Sequence, residues 1–156
     1  MTPGRPPVRS FPEALACALR GLSHAARTQR HFRAQLVIAA GVLLFATWAR
    51  LGVLELAVLV ITVAVVLGME LFNTAVEMLT DLLHPEHGPA AAVVKDVAAG
   101  AVLVAVVLAT ALALLVLLPR VVHLSRTGVR GLPALLAMLC IVLLAAGTVK
   151  PARRVL

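Results

Sequence analysis

The sequence predicts an all-α membrane protein, with an N-terminal amphipathic helix on the membrane surface followed by membrane-spanning helices. Hydrophobic residues make up 62% of the chain and charged residues 13%, whereas soluble domains are closer to about half apolar and a quarter charged. Aromatic residues account for only 3%, so the excess is aliphatic and suits lipid hydrocarbon. Apolar stretches of roughly span length recur between charged residues.

The N-terminal segment is predicted to begin in disorder and to continue as a surface helix. Residues 1–9 are rich in Pro and Arg. Ser10 and Glu13 then have the spacing of a capping box, and Pro12 is tolerated in a first helical turn. Large apolar residues recur at helical spacing among charged ones, which indicates an amphipathic helix lying on the membrane. These are Phe11, Leu15, Leu19 and Leu22.

Two helices follow. Residues 34–49 carry no charge and form a first span, whose ends must extend because a span needs about 20 residues. Leu51 and Gly52 are predicted to form a tight turn. A second helix, at about 54–83, is too long for one span, so its second half reaches the headgroup region. The segment HPEHGP at 84–89 ends it.

A third helix is predicted to start near Pro89 and to cross the membrane over 97–118. Residues 119–131 are predicted to be a basic loop, and 132–149 an additional fourth span. The chain is thus divided into a disordered segment (1–9), a membrane domain (10–119), and a C-terminal region with the basic loop, extra span and tail (120–156).

The charge distribution predicts the orientation. Four spans place both termini and residues 70–96 on one side, together with ten of the 14 Lys and Arg residues. This imbalance favours the cytoplasmic side of the inner (plasma) membrane, although the basic loop opposes it. The net charge is +7, and the basic residues that carry it flank apolar helices. Lipid headgroups are therefore the expected partner and nucleic acid is not.

A polar face lies on the second long helix. At about 100° per residue, Glu70, Asn73, Glu77 and Asp81 fall within an arc of roughly 80°, with Thr74 beside them. Charged side chains within a membrane cost on the order of 2.5–3.5 kcal/mol each, so a partner or a cation is expected. The oxygens suit Mg²⁺, and one carboxylate can act as a general base. A structural network between helices is the alternative.

Lys95 and Asp96 open the third span at the same membrane border. The lysine has two possible roles, which the sequence does not separate: it can neutralise phosphate oxygens, or it can pair with Asp81.

The stretch ELFNTAVEMLTD, followed by KDVAAGAVL, resembles the prokaryotic diacylglycerol kinase and undecaprenol kinase family of small membrane lipid kinases. The resemblance covers roughly residues 10–118. It rests on an E-x-x-N-[ST]-A-[IV]-E-x-x-x-D pattern and a following K-D pair. The matching residues are Glu70, Asn73, Thr74, Ala75, Glu77, Asp81, Lys95 and Asp96.

This resemblance implies a homotrimer of three-span subunits with active sites at subunit boundaries. It implies Mg²⁺-dependent transfer of phosphate from ATP to a lipid alcohol, diacylglycerol or undecaprenol, at the cytoplasmic border. Glu70 would then be the general base and Glu77 a metal ligand. The nucleotide would be bound by Asn73, Glu77, Lys95 and Asp96. Supporting roles fall to Asp81, Thr74 and Arg33.

Two features depart from the family pattern. The family has a glutamate in an E-x-x-F-R stretch, where this chain has Gln29 before Phe32 and Arg33. Gln29 offers the metal a neutral oxygen in place of a carboxylate. The fourth span is also additional to the family's three. The alternative function is therefore a catalytically weakened membrane scaffold of the same fold.

Overall fold

The computed structural model describes residues 10–86 and 88–126, which form four α-helices. The bounds are α1 Phe11–Thr28, α2 Arg30–Trp48, α3 Val53–Leu83 and α4 Pro89–Arg126. The predicted all-α class is confirmed, and α2, α3 and α4 are each long and apolar enough to cross a membrane. The predicted fourth span, the C-terminal tail and the N-terminal segment 1–9 lie outside the described residues.

Helix α1 has the amphipathic character that its sequence predicts. Its first turn is held by the Glu13 carboxylate, which accepts a hydrogen bond from the Ser10 backbone N–H at 2.8 Å. Its large apolar side chains remain exposed, with Phe11 at 81%. Because these side chains share one helix face, α1 presents an apolar stripe suited to the membrane surface. The stripe consists of Phe11, Leu15, Leu19 and Leu22.

Helix α2 ends in a Schellman motif that reverses the chain. Arg50 adopts φ 54°, the left-handed conformation that usually follows a helix end. Its N–H donates to the Thr47 carbonyl at 3.1 Å, and the Leu51 N–H donates to the Ala46 carbonyl at 3.1 Å. Leu51 packs against the cluster around Phe45. The reversal predicted at Leu51 and Gly52 therefore occurs, with Arg50 in the position usually taken by glycine.

Helix α3 is longer than the membrane is thick. Its 31 residues extend about 46 Å at 1.5 Å per residue, against a hydrocarbon thickness of about 30 Å. The helix begins at Val53, after the turn, so its C-terminal third reaches the opposite membrane border. It packs chiefly against α4 and secondly against α2. The polar face of α3 is thereby placed at that border.

The predicted loop from Pro119 is wrong in its first part, because α4 continues through Pro119 to Arg126. Proline lacks an N–H and usually interrupts a helix, but membrane helices tolerate it where neighbours satisfy the backbone. The following residue, Arg120, donates from Nε to the Ala49 carbonyl at 2.7 Å and from Nη2 to the Arg50 carbonyl at 3.1 Å. These bonds fasten the extension to the end of α2.

We expect Arg120→Met to destabilise the protein by about 1–3 kcal/mol, because it removes two charge-assisted hydrogen bonds from the carbonyls at the end of α2. The free energy of unfolding in detergent, measured by denaturant titration, tests this. Arg126→Met is the matched control, since Arg126 is exposed at the end of α4. Equal stability of the two variants would show that Arg120 does not fasten the helices.

Candidate functional site

Three neighbouring polar side chains of α3 are buried within the chain. Glu70 is 5% exposed, Asn73 9% and Thr74 5%, although acidic and amide side chains are rarely buried without partners. Glu70 lies 17 residues after Val53, or about 26 Å along the helix axis. This distance places it near the membrane border, with Glu77 and Asp81 beyond it.

Glu70 is held by a residue of α2 that the sequence analysis did not single out. Gln35 Nε2 donates to Glu70 Oε2 at 3.3 Å, and His31 is close enough to interact electrostatically with Glu70. The Thr74 hydroxyl donates to the Glu70 backbone carbonyl at 3.0 Å. That bond uses the hydroxyl hydrogen of Thr74, so the buried hydroxyl is satisfied by its own helix.

Asn73 and Glu77 form a pair one turn further along α3. Asn73 Nδ2 donates to Glu77 Oε1 at 2.9 Å. The buried Asn73 Oδ1 has no hydrogen-bond partner among residues 10–86 and 88–126. Buried oxygens are normally paired, so this atom and the adjacent carboxylate leave an oxygen-lined position that fits a hard cation such as Mg²⁺.

No group of three or more His, Cys, Asp or Glu side chains is placed to hold a metal within the described part of the chain. A magnesium site of the nucleotide type does not require such a group, because Mg²⁺ is commonly bound by one or two carboxylates together with substrate phosphates. The donor set at Asn73 and Glu77 therefore fits a metal that arrives with a nucleotide.

Lys95 and Asp81 form an ion pair between α4 and α3. Of the two roles that the sequence left open for Lys95, pairing with Asp81 is the one present in this structure. Both side chains keep some exposure, 29% for Lys95 and 51% for Asp81, so the lysine remains accessible from the membrane border. Asp96 is exposed beside it.

The corner between α1 and α2 contains the F-R part of the family pattern. Phe32 is 2% exposed and anchors the corner. Arg33 Nη1 donates to the carbonyls of Ala26 and Arg27 at 3.3 and 3.0 Å, which caps the C-terminus of α1. Arg33 thus orients α1.

Gln29 is the single residue between α1 and α2. Its backbone N–H donates to the Ala25 carbonyl at 2.8 Å. Within the described ranges, neither the Gln29 side chain nor that of Asp96 hydrogen-bonds another predicted site residue. Side chain to side chain, the described ranges therefore bring together two pairs of the predicted residues, Asn73 with Glu77 and Asp81 with Lys95. The Thr74 hydroxyl contacts the backbone carbonyl of Glu70.

The fold and these pairs define a helical membrane protein with a carboxylate-rich site at one membrane border. Residues 16–117 match the family described as prokaryotic diacylglycerol kinase. The chain belongs to this family of membrane lipid kinases.

Two relatives are similar to the chain. An undecaprenol kinase of Bacillus subtilis (strain 168) is 34% identical over 110 residues, which are 70% of this chain and 89% of the relative. A diacylglycerol kinase of a Synechocystis species is 38% identical over 103 residues, 65% of this chain and 59% of the relative. No solved structure matches the chain significantly.

Proposed function

We propose that the protein transfers the γ-phosphate of ATP to the hydroxyl of a membrane lipid alcohol, either diacylglycerol or undecaprenol. The observation that supports this most directly is the position of Glu70. It is a buried carboxylate near the membrane border, one turn from the Asn73–Glu77 pair on the same helix face. A proton acceptor and a phosphate-handling group are thus adjacent where a lipid headgroup lies.

In the proposed reaction, Glu70 acts as the general base. Its carboxylate accepts the proton of the lipid hydroxyl as the hydroxyl oxygen bonds to the γ-phosphorus of ATP. The bond from the γ-phosphorus to the bridging oxygen breaks, and ADP leaves with that oxygen. Gln35 holds the Glu70 carboxylate through Nε2, which supports a fixed orientation toward the hydroxyl.

Asn73 and Glu77 would hold Mg²⁺ and the nucleotide phosphates, and Gln29 would add a neutral oxygen from the α1–α2 corner. Bound Mg²⁺ supplies neutralisation of the charge that develops on the phosphoryl oxygens. Lys95 would move from Asp81 to the nucleotide phosphates, and Asp96 would contact the sugar or base. These roles follow the family resemblance, and the exposure of the Lys95–Asp81 pair is compatible with them.

The proposal places the site on the cytoplasmic side of the inner membrane, because the positively charged residues concentrate there and ATP is cytoplasmic. We also propose that three copies of the chain assemble into a homotrimer, as the family resemblance implies. Most large apolar side chains of α4 are exposed within one chain, and the buried residues of this helix are Ala91 and Ala105, so much of its surface is available to lipid or to neighbouring subunits.

The direct test is an assay of the purified full-length chain in bilayers with ATP, Mg²⁺ and each lipid alcohol in turn. We expect radiolabelled γ-phosphate to appear in phosphatidate or undecaprenyl phosphate, and the preferred lipid identifies the substrate. Absence of transfer to both lipids would contradict the kinase proposal and favour the scaffold alternative, which is suggested by Gln29 replacing the family glutamate.

Gln29→Glu tests the metal role of the α1–α2 corner. We expect the Mg²⁺ concentration for half-maximal activity to fall by about tenfold, because metal affinity rises with the number of charged ligands. Thr28→Glu is the matched control, since it adds the same charge one residue away. A wild-type chain that is inert and becomes active only with Glu at position 29 would favour the scaffold alternative. An equal effect of both variants would exclude metal ligation by residue 29.

A further inference from the structure

A group of basic residues lies at the membrane border opposite the buried carboxylate of α3, where α2 ends and α4 extends beyond its span. Arg120 joins the two helices, because its Nε and Nη2 atoms donate to the Ala49 and Arg50 carbonyls at 2.7 and 3.1 Å. His123 and Arg126 follow at intervals of three residues, so the three basic side chains of α4 fall within an arc of about 120°. The basic border cluster consists of Arg50, Arg120, His123 and Arg126.

The positive charge of this border is not balanced by acidic residues of the chain. Four of the 14 Lys and Arg residues are predicted on this side, with Glu55 as its single acidic residue. The Glu55 carboxylate accepts a hydrogen bond from the Gly52 N–H at 2.8 Å. Within the described part of the chain, the exposed guanidinium groups of Arg50 and Arg126 make no ion pair or hydrogen bond. Both cations are therefore available to an anion from outside the chain.

Arg50 carries its side chain at a position that favours glycine. Its φ of 54° is left-handed, a conformation in which a Cβ atom meets a steric cost that glycine avoids. The Schellman motif at the end of α2 requires only the backbone of this residue. A charged side chain kept at a strained position, where the fold does not need it, indicates that the side chain has a function of its own.

The depth of the cluster matches that of phospholipid headgroups. From Arg120 to Arg126, α4 rises about 9 Å, and the headgroup region on one side of a bilayer is about 5–8 Å thick. Trp48, in the last turn of α2, is 39% exposed, and tryptophan is typical of this interfacial depth. The cations of the cluster therefore lie at the level of lipid phosphates.

Most of the cluster lies outside the part of the chain that matches the kinase family. That match ends at residue 117, and Arg120, His123 and Arg126 all follow it. The cluster is also at the opposite end of α3 from Glu70, so phosphate transfer at the site of Glu70 does not involve it. Arginines are normally depleted on the side of a membrane protein that faces away from the cytoplasm, which makes their presence at this border informative.

We propose that the basic border cluster binds the phosphate of an anionic phospholipid, in the leaflet opposite the proposed kinase site. Arg50 and Arg126 supply the positive charge, and Arg120, held by the carbonyls of α2, fixes the end of α4 beside α2. A guanidinium group suits phosphate because its N–H donors form a planar fork that matches the phosphate oxygens. An anionic lipid is preferred to a zwitterionic one because its headgroup brings no cation to compete with the arginines. This binding is independent of the proposed kinase activity.

Trp48 reports on this border because it is the single tryptophan of the chain. The full-length protein is placed in bilayers of mixed phosphatidylcholine and phosphatidylglycerol, where one lipid at a time carries bromine atoms that quench tryptophan fluorescence on contact. We expect phosphatidylglycerol to be favoured beside Trp48 by about fivefold, the factor that one arginine near a membrane surface contributes. Added NaCl should weaken this preference, because salt screens the attraction.

Arg50→Gln combined with Arg126→Gln removes the available charges and leaves Arg120 in place. We expect the preference for phosphatidylglycerol beside Trp48 to fall to about unity. Arg27→Gln combined with Arg30→Gln is the matched control, since it removes two exposed charges from the other membrane border, and its preference should equal that of the wild type.

Arg50→Gly separates lipid binding from folding. We expect its melting temperature in nonionic detergent to equal or exceed that of the wild type, because glycine relieves the strain at φ 54°. Its preference for phosphatidylglycerol should nevertheless fall, because the charge is gone. An unchanged preference would contradict the function assigned to the Arg50 side chain.

Three patterns of Trp48 quenching would overturn the lipid site. Equal quenching by the two brominated lipids in the wild type would show that the border has no anionic preference. A preference that persists in the variant lacking Arg50 and Arg126, or that falls equally in the control pair, would assign it to the overall charge of the protein. Loss of the preference on adding inorganic phosphate, but not NaCl at equal ionic strength, would show that a soluble phosphate occupies the cluster in place of a lipid.

Discussion

Glu70→Gln is expected to lower kcat for phosphate transfer by about 10²–10⁴-fold, the usual contribution of a positioned general base. The substituted amide has nearly the same shape and still offers an oxygen to Gln35 Nε2, which bonds Glu70 Oε2 at 3.3 Å. It no longer accepts a proton readily. We expect the KM for ATP to change little, because the Asn73–Glu77 pair lies one turn away and is untouched.

Stability separates loss of chemistry from loss of fold. Glu70 is 5% exposed, and burying a neutral amide costs less than burying a carboxylate. The melting temperature of Glu70→Gln in detergent should therefore equal or exceed that of the wild type while turnover falls. Glu55→Gln is the control, since Glu55 is an exposed carboxylate in the first turn of the same helix. A Glu70→Gln enzyme with near wild-type kcat would exclude Glu70 as the base.

The helices could be predicted from sequence because hydrocarbon imposes strict lengths and hydropathy. The helix predicted at about 54–83 is observed at Val53–Leu83, bounded by Gly52 and by the HPEHGP segment. The prediction of a loop from Pro119 was wrong because the effect of a proline on a helix depends on tertiary contacts. Arg120 bonds the carbonyls at the end of α2, about 70 residues earlier in the chain. Sequence spacing does not reveal such a contact.

The polar face of α3 was predictable because its residues share one helix and a fixed angular spacing. Contacts between helices were not, since they depend on how α2 and α4 pack against α3. From sequence, Lys95 could either pair with Asp81 or neutralise phosphate oxygens, and the pairing is seen only in the packing of α4 against α3. Gln35 was missed, although it is the only polar residue between Arg33 and Thr47, and a polar side chain inside a span is itself a functional signal.

Glu77→Gln is expected to reduce kcat/KM for ATP by at least about 10²-fold, since metal-assisted charge neutralisation contributes several kcal/mol to such reactions. Glutamine preserves an oxygen to accept the hydrogen bond that Asn73 Nδ2 makes at 2.9 Å, so the pair itself should survive. What is lost is the negative charge that, in the proposed site, would attract Mg²⁺ to the adjacent Asn73 Oδ1, which has no hydrogen-bond partner within residues 10–86 and 88–126.

The dependence of activity on the concentration of Mg²⁺ distinguishes Glu77→Gln from Glu70→Gln, which lacks the proposed base. Raising the concentration of Mg²⁺ should partly restore the activity of Glu77→Gln, because weaker binding is overcome by mass action. The same treatment should leave Glu70→Gln unchanged, since a missing proton acceptor is not replaced by a cation. The measurement is the initial rate across a Mg²⁺ titration for both variants, with Glu55→Gln as control. Full activity of Glu77→Gln at low Mg²⁺ would exclude Glu77 as a metal ligand, and with it the assignment of the Asn73–Glu77 pair to the nucleotide.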